Sequence, residues 1–262
     1  MATAAAWRLR DGWHWLAFFG AVLLAWTALW AMSPPADLVA ASRLGGAGFW
    51  KGLCTATADS AGFLRMTAMW AVMSLAMMAP TAFPAFRTFE HLAGAGAARR
   101  RDSLVLWTGY LLVWLGFSAL AAGLQLALLS AGWVTPAGVL TAPAMGGAFL
   151  LLAGFYQFSA LKDACLSACR SPLVFFMAHW EPTAGARGAF ALGLRLGAVC
   201  LGCCWALMLL AFVGGLSNLL FMGLATVLMA VEKLPDLGRP ITRPLGALLV
   251  IAGIGTLAAA WV

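Results

Sequence analysis

The chain has 262 residues, of which 63% are hydrophobic and only 10% are charged, and its mean hydropathy is +0.93. This balance excludes a monomeric soluble domain, because so much apolar surface could not be kept out of water. The net charge of +7 does not predict a nucleic-acid partner, since the basic residues cluster where apolar segments end. We therefore expect a single transmembrane domain over residues 1–262, with the lipid bilayer as its surroundings.

The apolar segments predict an all-α, polytopic transmembrane bundle of about seven helices, since about 20 apolar residues cross a bilayer core. The predicted spans are residues 13–32, 63–84, 103–131, 144–162, 188–213, 217–232 and 244–262. The first span is expected to be retained, because it is followed by Ser33-Pro34-Pro35 without a small-residue cleavage pattern. Prolines near the span ends, such as Pro80, Pro84 and Pro244, are interpreted as helix terminators.

The basic residues predict a cytoplasmic N-terminus and an outer C-terminus by the positive-inside rule. With this orientation, 12 of the 16 basic residues fall in cytoplasmic segments: Arg8, Arg10, Arg87, Arg99, Arg100, Arg101, Lys162, Arg170, Arg187, Lys233, Arg239 and Arg243. Arg43 and Lys51 fall in an outer segment. Arg195 lies inside the fifth span, and we expect it to pair with Glu232, because charges within membranes are usually paired.

The second and fifth spans share a short pattern. Residues 70–76 read WAVMSLA and residues 205–211 read WALMLLA. Because these spans are predicted to run in opposite directions, spans two to four and five to seven could form a three-plus-three inverted repeat of the kind found in transporters. Chance similarity in a chain rich in Trp, Ala and Met is the alternative.

Sulfur-bearing residues recur at helical spacing in these same two spans. In the second span, one helical face carries four methionines, Met66, Met69, Met73 and Met77. In the fifth span, offsets of three and four place the cysteine sulfurs within one turn, and a methionine continues the row: Cys200, Cys203, Cys204 and Met208. Methionine and cysteine also serve as ordinary packing residues, which is the alternative interpretation.

A second cysteine pair, Cys165 and Cys169, follows the fourth span on a helix that we expect to end at Ser171-Pro172. His179 follows this segment and is a candidate additional ligand. The sixth cysteine, Cys54, lies in an outer loop without a partner there, so the sequence predicts no disulfide framework.

These donors predict copper as the metal. Thiolates and thioethers are soft and suit Cu(I), whereas Mg, Ca and Mn take oxygen ligands and Zn or Ni commonly uses imidazole. We expect one site at the Cys200 group with help from Met69 or Met73, and a separate inner site at Cys165 and Cys169. Weak sites in series are what the passage of an ion requires.

The chain resembles a family of uncharacterised bacterial integral membrane proteins that are predicted to bind metal and are classed as a domain of unknown function. The resemblance covers about residues 63–240 and rests on these segments: 69–73 (MWAVM), 76–80 (AMMAP), 161–162 (LK), 165–166 (CL), 169–172 (CRSP), 179–180 (HW), 200 with 202–208 (GCCWALM), and 232–233 (EK). It implies a metal-handling role, with copper as the expected metal. Where members of that family often carry histidines, this chain has Ala168 and residues 197–199 (GAV), so a sulfur-only site is favoured.

We therefore predict a Cu(I)-binding protein of the bacterial inner membrane, acting in copper transfer or transport with a copper chaperone or other metalloprotein as partner. It is not expected to be an enzyme, and without a phosphate-binding loop it is not expected to be an ATP-driven pump. Two alternatives remain open. One is a membrane thiol-disulfide oxidoreductase that uses the same cysteines, and the other is a structural or assembly subunit whose sulfurs only pack.

Overall fold

The computed structural model describes five ranges of the chain: residues 13–32, 59–96, 98–136, 138–216 and 218–260. Their regular structure is helical: α1 Trp13–Met32, α2 Ser60–Gly94, α3 Arg100–Ser130, α4 Pro143–Tyr156, α5 Ala160–Arg170, α6 Pro172–His179, a 3-10 turn Pro182–Ala184, α7 Gly185–Leu209, α8 Ala211–Gly214, α9 Leu219–Glu232 and α10 Gly238–Ala259. The all-α prediction is confirmed for these ranges. Predictions that concern Arg8, Arg10, Arg43, Lys51 and Cys54 lie outside the described residues.

Within the five described ranges, five helical segments are long and apolar enough to cross a bilayer, namely α1, α2, α3, α7 with α8, and α10. The predicted fourth span does not form one straight helix, because α4 ends at Tyr156 and α5 leaves it at 63°. Taken as one broken span, this pair is a sixth candidate. The predicted sixth span corresponds to α9, whose 14 residues rise only about 21 Å, short of a bilayer core of about 30 Å.

The proline interpretation is wrong for α2 and α10, since Pro80, Pro84 and Pro244 lie inside these helices. A proline at position 80 cannot donate to the carbonyl of Ala76, four residues earlier. The indole of Trp26 in α1 donates to that oxygen at 3.0 Å instead. A neighbouring helix thus supplies the missing donor, and α2 continues to Gly94. At Ser171-Pro172 the prediction is confirmed, because α5 ends at Arg170.

Glycines set the closest helix contacts. At Gly193 in α7, a Cβ atom would overlap the backbone carbonyl of Leu106 in α3, and at Gly109 in α3 it would lie 2.5 Å from Phe190 O. At Gly197, one turn beyond Gly193, a Cβ atom would lie 2.9 Å from the Val113 side chain and 3.1 Å from the Tyr110 carbonyl oxygen. Small residues four apart allow two helix backbones to approach closely, and α3 and α7 pack tightly against each other here.

A buried ion pair joins the broken span to α9. Lys162 Nζ lies 2.9 Å from Glu232 Oε2, and each side chain is 1% exposed. The predicted pairing of Arg195 with Glu232 is therefore wrong, and the Arg195 side chain is exposed. A carboxylate this deeply buried takes the cation that packs against it, and the bend after α4 brings Lys162 there. The Arg170 guanidinium adds a 2.8 Å hydrogen bond to the Glu232 backbone carbonyl.

Large apolar residues fill the core of the bundle and also cover its outer surface. Trp70, Met73 and Phe212 are fully buried, but large apolar side chains also cover the outside of the bundle. Leu120 in α3 is 74% exposed and Leu220 in α9 is 83% exposed. An outer surface of this kind is unfavourable in water and favours association with a membrane.

Candidate metal centre

Four thiols meet at the junction of α5 and α7. Cys169 comes from the last turn of α5, and Cys200, Cys203 and Cys204 come from α7. We call these four residues the thiol cluster. Cys169 Sγ lies 3.9 Å from Cys203 Sγ, and Cys203 Sγ lies 3.2 Å from Cys204 Sγ. Cys200 lies one turn before Cys203 and Cys204 on α7, and its backbone carbonyl accepts a hydrogen bond from the Cys203 thiol at 3.1 Å. The five cysteines of the described ranges are all free thiols.

The distances in the cluster favour two sulfurs on one ion. With a metal–thiolate bond of about 2.3 Å, the value for zinc, two sulfurs on the same ion lie about 3.8 to 4.6 Å apart. The Cys169–Cys203 separation of 3.9 Å falls inside this window, and the Cys203–Cys204 separation of 3.2 Å falls below it. In the described ranges, no set of three or more His, Cys, Asp or Glu side chains is arranged to hold one metal ion. The Cys169–Cys203 pair therefore suits a soft ion held by two sulfurs.

Two polar side chains contact Cys200 from other helices. The Tyr110 hydroxyl in α3 lies 3.2 Å from Cys200 Sγ and donates to the carbonyl of Met78 in α2 at 3.2 Å. Lys233, which follows α9, places its ammonium 3.1 Å from Cys200 Sγ and 2.6 Å from Thr81 Oγ1 in α2. Cys200 is thus held where α2, α3, α7 and the end of α9 converge.

A cavity of about 390 Å³ leads to this point. Its floor is formed by buried residues, among them Tyr110, Cys200 and Lys233, and Cys169 also lines it. Its rim includes Pro84, Leu234 and Pro235, and the residues at these three positions are exposed. An ion or a ligand group can therefore reach two thiols of the cluster through a passage with a mostly apolar wall.

A family model described as "PpoB2: Copper chaperone" matches residues 67–256, a range that holds every residue of the thiol cluster. The chain belongs to this family. Its function is therefore copper-related, in agreement with the metal expected from the soft donors. Comparison with curated proteins and with solved structures finds no match.

In this PpoB2-family chain, the two cysteines that were predicted to form an inner site, Cys165 and Cys169, have different neighbours. Cys169 joins the thiol cluster, while Cys165 packs against Gly202, where a Cβ atom would lie 2.6 Å from the Cys165 sulfur. His179 is also apart from the cluster, because it is exposed and its Nδ1 pairs with the Phe175 carbonyl at 2.8 Å. The bend after α4 and the end of α5 determine which of these residues reaches α7.

The five candidate methionines are deep in the core, with Met66, Met69, Met73 and Met77 at 0–3% exposure and Met208 at 1%. The first four belong to α2, which packs mainly on α3 and α1, whereas Met208 belongs to α7, which packs mainly on α3 and α5. Hydrogen bonds of Tyr110 and Lys233 connect α2 to the thiol cluster. Copper ligation by Met69 or Met73 stays a prediction.

Tyr110, Thr81 and Lys233 were not predicted as site residues. Tyr110 and Thr81 are polar residues inside predicted spans, which is a weak signal for an intramembrane site. Lys233 was counted among the cytoplasmic flanking charges, but its side chain is buried, with 8% of the residue exposed. The sequence signal that could have identified Lys233 as a site residue is its place in the Glu232-Lys233 segment, which the chain shares with the family that it resembles.

Proposed function

We propose that this chain is a membrane-embedded copper chaperone that accepts Cu(I) at the thiol cluster and passes it to a copper-requiring protein. The observation that carries the proposal is the approach of Cys169 to Cys203, at a separation suited to two sulfurs on one ion. Membership of a copper chaperone family supports copper as the cargo. The softness of the donors supports the cuprous state.

Ligands from two different helices suit transfer rather than permanent storage. Cys169 belongs to the last turn of α5, and α5 ends two residues before Pro172. A small shift of this short helix relative to α7 would lengthen the Cys169–Cys203 separation and weaken the two-sulfur site. The cavity beside Cys169 and Cys200 would then give an acceptor thiol access to the ion.

The exposed apolar sides of the bundle support a location within a membrane, for which we propose the bacterial inner membrane. The positive-inside rule supports a cytoplasmic N-terminus and an outer C-terminus. In this orientation the cavity, whose wall includes Arg170, would face the cytoplasm. Alkaline phosphatase fused after Val262 should then be active, and a fluorescent cytoplasmic reporter at the same place should be dark.

The test of copper binding uses the protein purified in detergent under reducing conditions and titrated with Cu(I) against a chromophoric Cu(I) chelator. The wild-type protein should bind tightly, and the double variant Cys169→Ser with Cys203→Ser should lose tight binding. Cys165→Ser is the matched control, because it removes a thiol from the same helix as Cys169 but outside the cluster. It should bind Cu(I) like the wild type.

Equal Cu(I) affinity in the wild type and the double variant would rule out the cluster as the copper site. Loss of affinity in Cys165→Ser alone would instead favour the separate inner pair predicted from the sequence. The oxidoreductase alternative requires two thiols to be lost and regained during turnover with a thiol partner. It is tested by counting the free thiols of the protein after mild oxidation and again after reduction.

A further inference from the structure

Lys233 is a buried cation without a carboxylate partner among the described residues. The neighbouring Glu232 is paired with Lys162, and none of the ion pairs within those ranges involves Lys233. Its ammonium instead contacts the Cys200 sulfur and the Thr81 hydroxyl. A lone charge in a protein interior is costly, so its opposite charge has to come from the site that it faces.

A copper-loaded cluster would supply that opposite charge. Two thiolates carry two negative charges and Cu(I) carries one positive charge, so the bound group has a net charge of −1. With the Lys233 ammonium the buried total is zero. This charge total is the same whichever two of Cys169, Cys200 and Cys203 bind the ion, because each thiolate carries one negative charge. Lys233 contacts the cluster at Cys200.

A divalent ion in the same two-thiolate site leaves a different total. Zn(II) or Cd(II) with two thiolates is neutral, and Lys233 would then be a buried, unopposed charge. A third thiolate would restore balance, but no three such side chains among the described residues are arranged to hold one ion. Two-sulfur geometry and one fixed positive charge together favour a monovalent ion.

We propose that Lys233 is a specificity-determining residue that makes the thiol cluster selective for monovalent soft cations, Cu(I) and Ag(I), over divalent thiophilic ones. This inference rests on the proposed copper site. It adds a reason for selectivity that softness alone does not provide, since Cd(II) is soft as well. Thr81 positions the ammonium through its 2.6 Å hydrogen bond.

The test compares metal affinities of the full-length protein in detergent for Lys233→Gln, Lys233→Arg and the wild type. Glutamine keeps a donor near Cys200 without the charge, and arginine keeps the charge. Lys233→Gln should weaken Cu(I) and Ag(I) about 100-fold, the effect Coulomb's law gives for unit charges about 6 Å apart at an effective dielectric constant of about 20. Cd(II) binding should change little in the same variant, because Cd(II) with two thiolates carries no net charge for Lys233 to attract.

Lys233→Arg should restore the preference for Ag(I) over Cd(II). Arg239→Gln removes an equal charge from an exposed position of the same region and should leave all the affinities unchanged. An equal loss of Ag(I) and Cd(II) binding in Lys233→Gln would indicate a merely structural role and overturn the inference. So would an unchanged ratio of the two affinities.

The wild-type protein provides a test that needs no variant to fold. Ag(I) should displace Cu(I) from it at comparable concentration, whereas Cd(II) should fail to do so. Competition by Cd(II) as strong as that by Ag(I) would contradict charge selectivity while leaving the copper site itself intact. Failure of the wild type to bind Cu(I) at all would instead contradict the proposed function, so the two outcomes are distinct.

Discussion

Removing one partner of the Lys162–Glu232 ion pair should destabilise the protein strongly. Lys162→Leu leaves the Glu232 carboxylate at 1% exposure without its cation. The second oxygen of this carboxylate, Oε1, has no hydrogen-bond partner among the residues that the structure describes. Breaking a buried pair of this kind costs about 3–5 kcal/mol of unfolding free energy. Glu232→Leu should cost a similar amount, because it strands the Lys162 ammonium.

The double variant Lys162→Leu with Glu232→Leu should be much more stable than either single variant. Replacement of both charges by apolar groups is often close to neutral, since the desolvation cost disappears together with the attraction. The hydrogen bond from Arg170 to the Glu232 backbone carbonyl does not need the carboxylate and should survive. The double variant therefore isolates the cost of an unpaired buried charge.

The assay is unfolding in mixed micelles by denaturing detergent, followed by circular dichroism, for both single variants, the double variant and Asp236→Asn. Asp236 is exposed, so its replacement should change stability by less than about 0.5 kcal/mol. The reasoning is refuted if each single variant costs under about 1 kcal/mol, or if the double variant costs the sum of the two. Either result would mean that water or another group solvates the pair.

Two further variants test how the helices are held together. Gly193→Ala should lower the free energy of unfolding by about 1–3 kcal/mol through overpacking, because the new methyl group meets the Leu106 carbonyl and separates α3 from α7. The same variant should bind Cu(I) more weakly. Gly116→Ala is the control and should change neither stability nor Cu(I) affinity, because a Cβ atom there meets nothing within 4 Å. Trp26→Phe should lower the free energy of unfolding by about 1–3 kcal/mol in the same assay, since the Ala76 carbonyl loses its 3.0 Å donor. A stability equal to that of the wild type would show that Pro80 is accommodated in another way.

Hydropathy was sufficient to predict the helices, because span-length apolar runs have few other structures available in lipid. It failed where a neighbouring element decides the outcome. Nothing in residues 76–80 indicates that Trp26 will cap the carbonyl freed by Pro80. Nothing local to residues 144–162 indicates a 63° bend after Tyr156 either. Both depend on contacts between segments far apart in the chain.

For the candidate site, the sequence indicates soft donors and part of the grouping of the thiols. Helical spacing was enough to group Cys200, Cys203 and Cys204, because those sulfurs share one helix. Spacing cannot say which of Cys165 and Cys169 reaches a different helix. They lie four residues apart on the same side of α5, and only the position of α5 against α7 selects Cys169.

The sequence also does not indicate which partners the two adjacent charges, Glu232 and Lys233, have in the fold. Those partners bear directly on metal selectivity. They are neighbours in sequence, but consecutive residues at a helix end do not face each other. Glu232 turns toward Lys162, while Lys233 turns toward Cys200. Because Lys162 already neutralises the Glu232 carboxylate, the Lys233 ammonium presents its full positive charge to the thiol cluster. If Glu232 paired with Lys233, the cluster would face no net charge, and a two-thiolate site would be electrically balanced with a divalent ion. The presence of Lys162 in α5 is thus what leaves Lys233 available to favour a monovalent one.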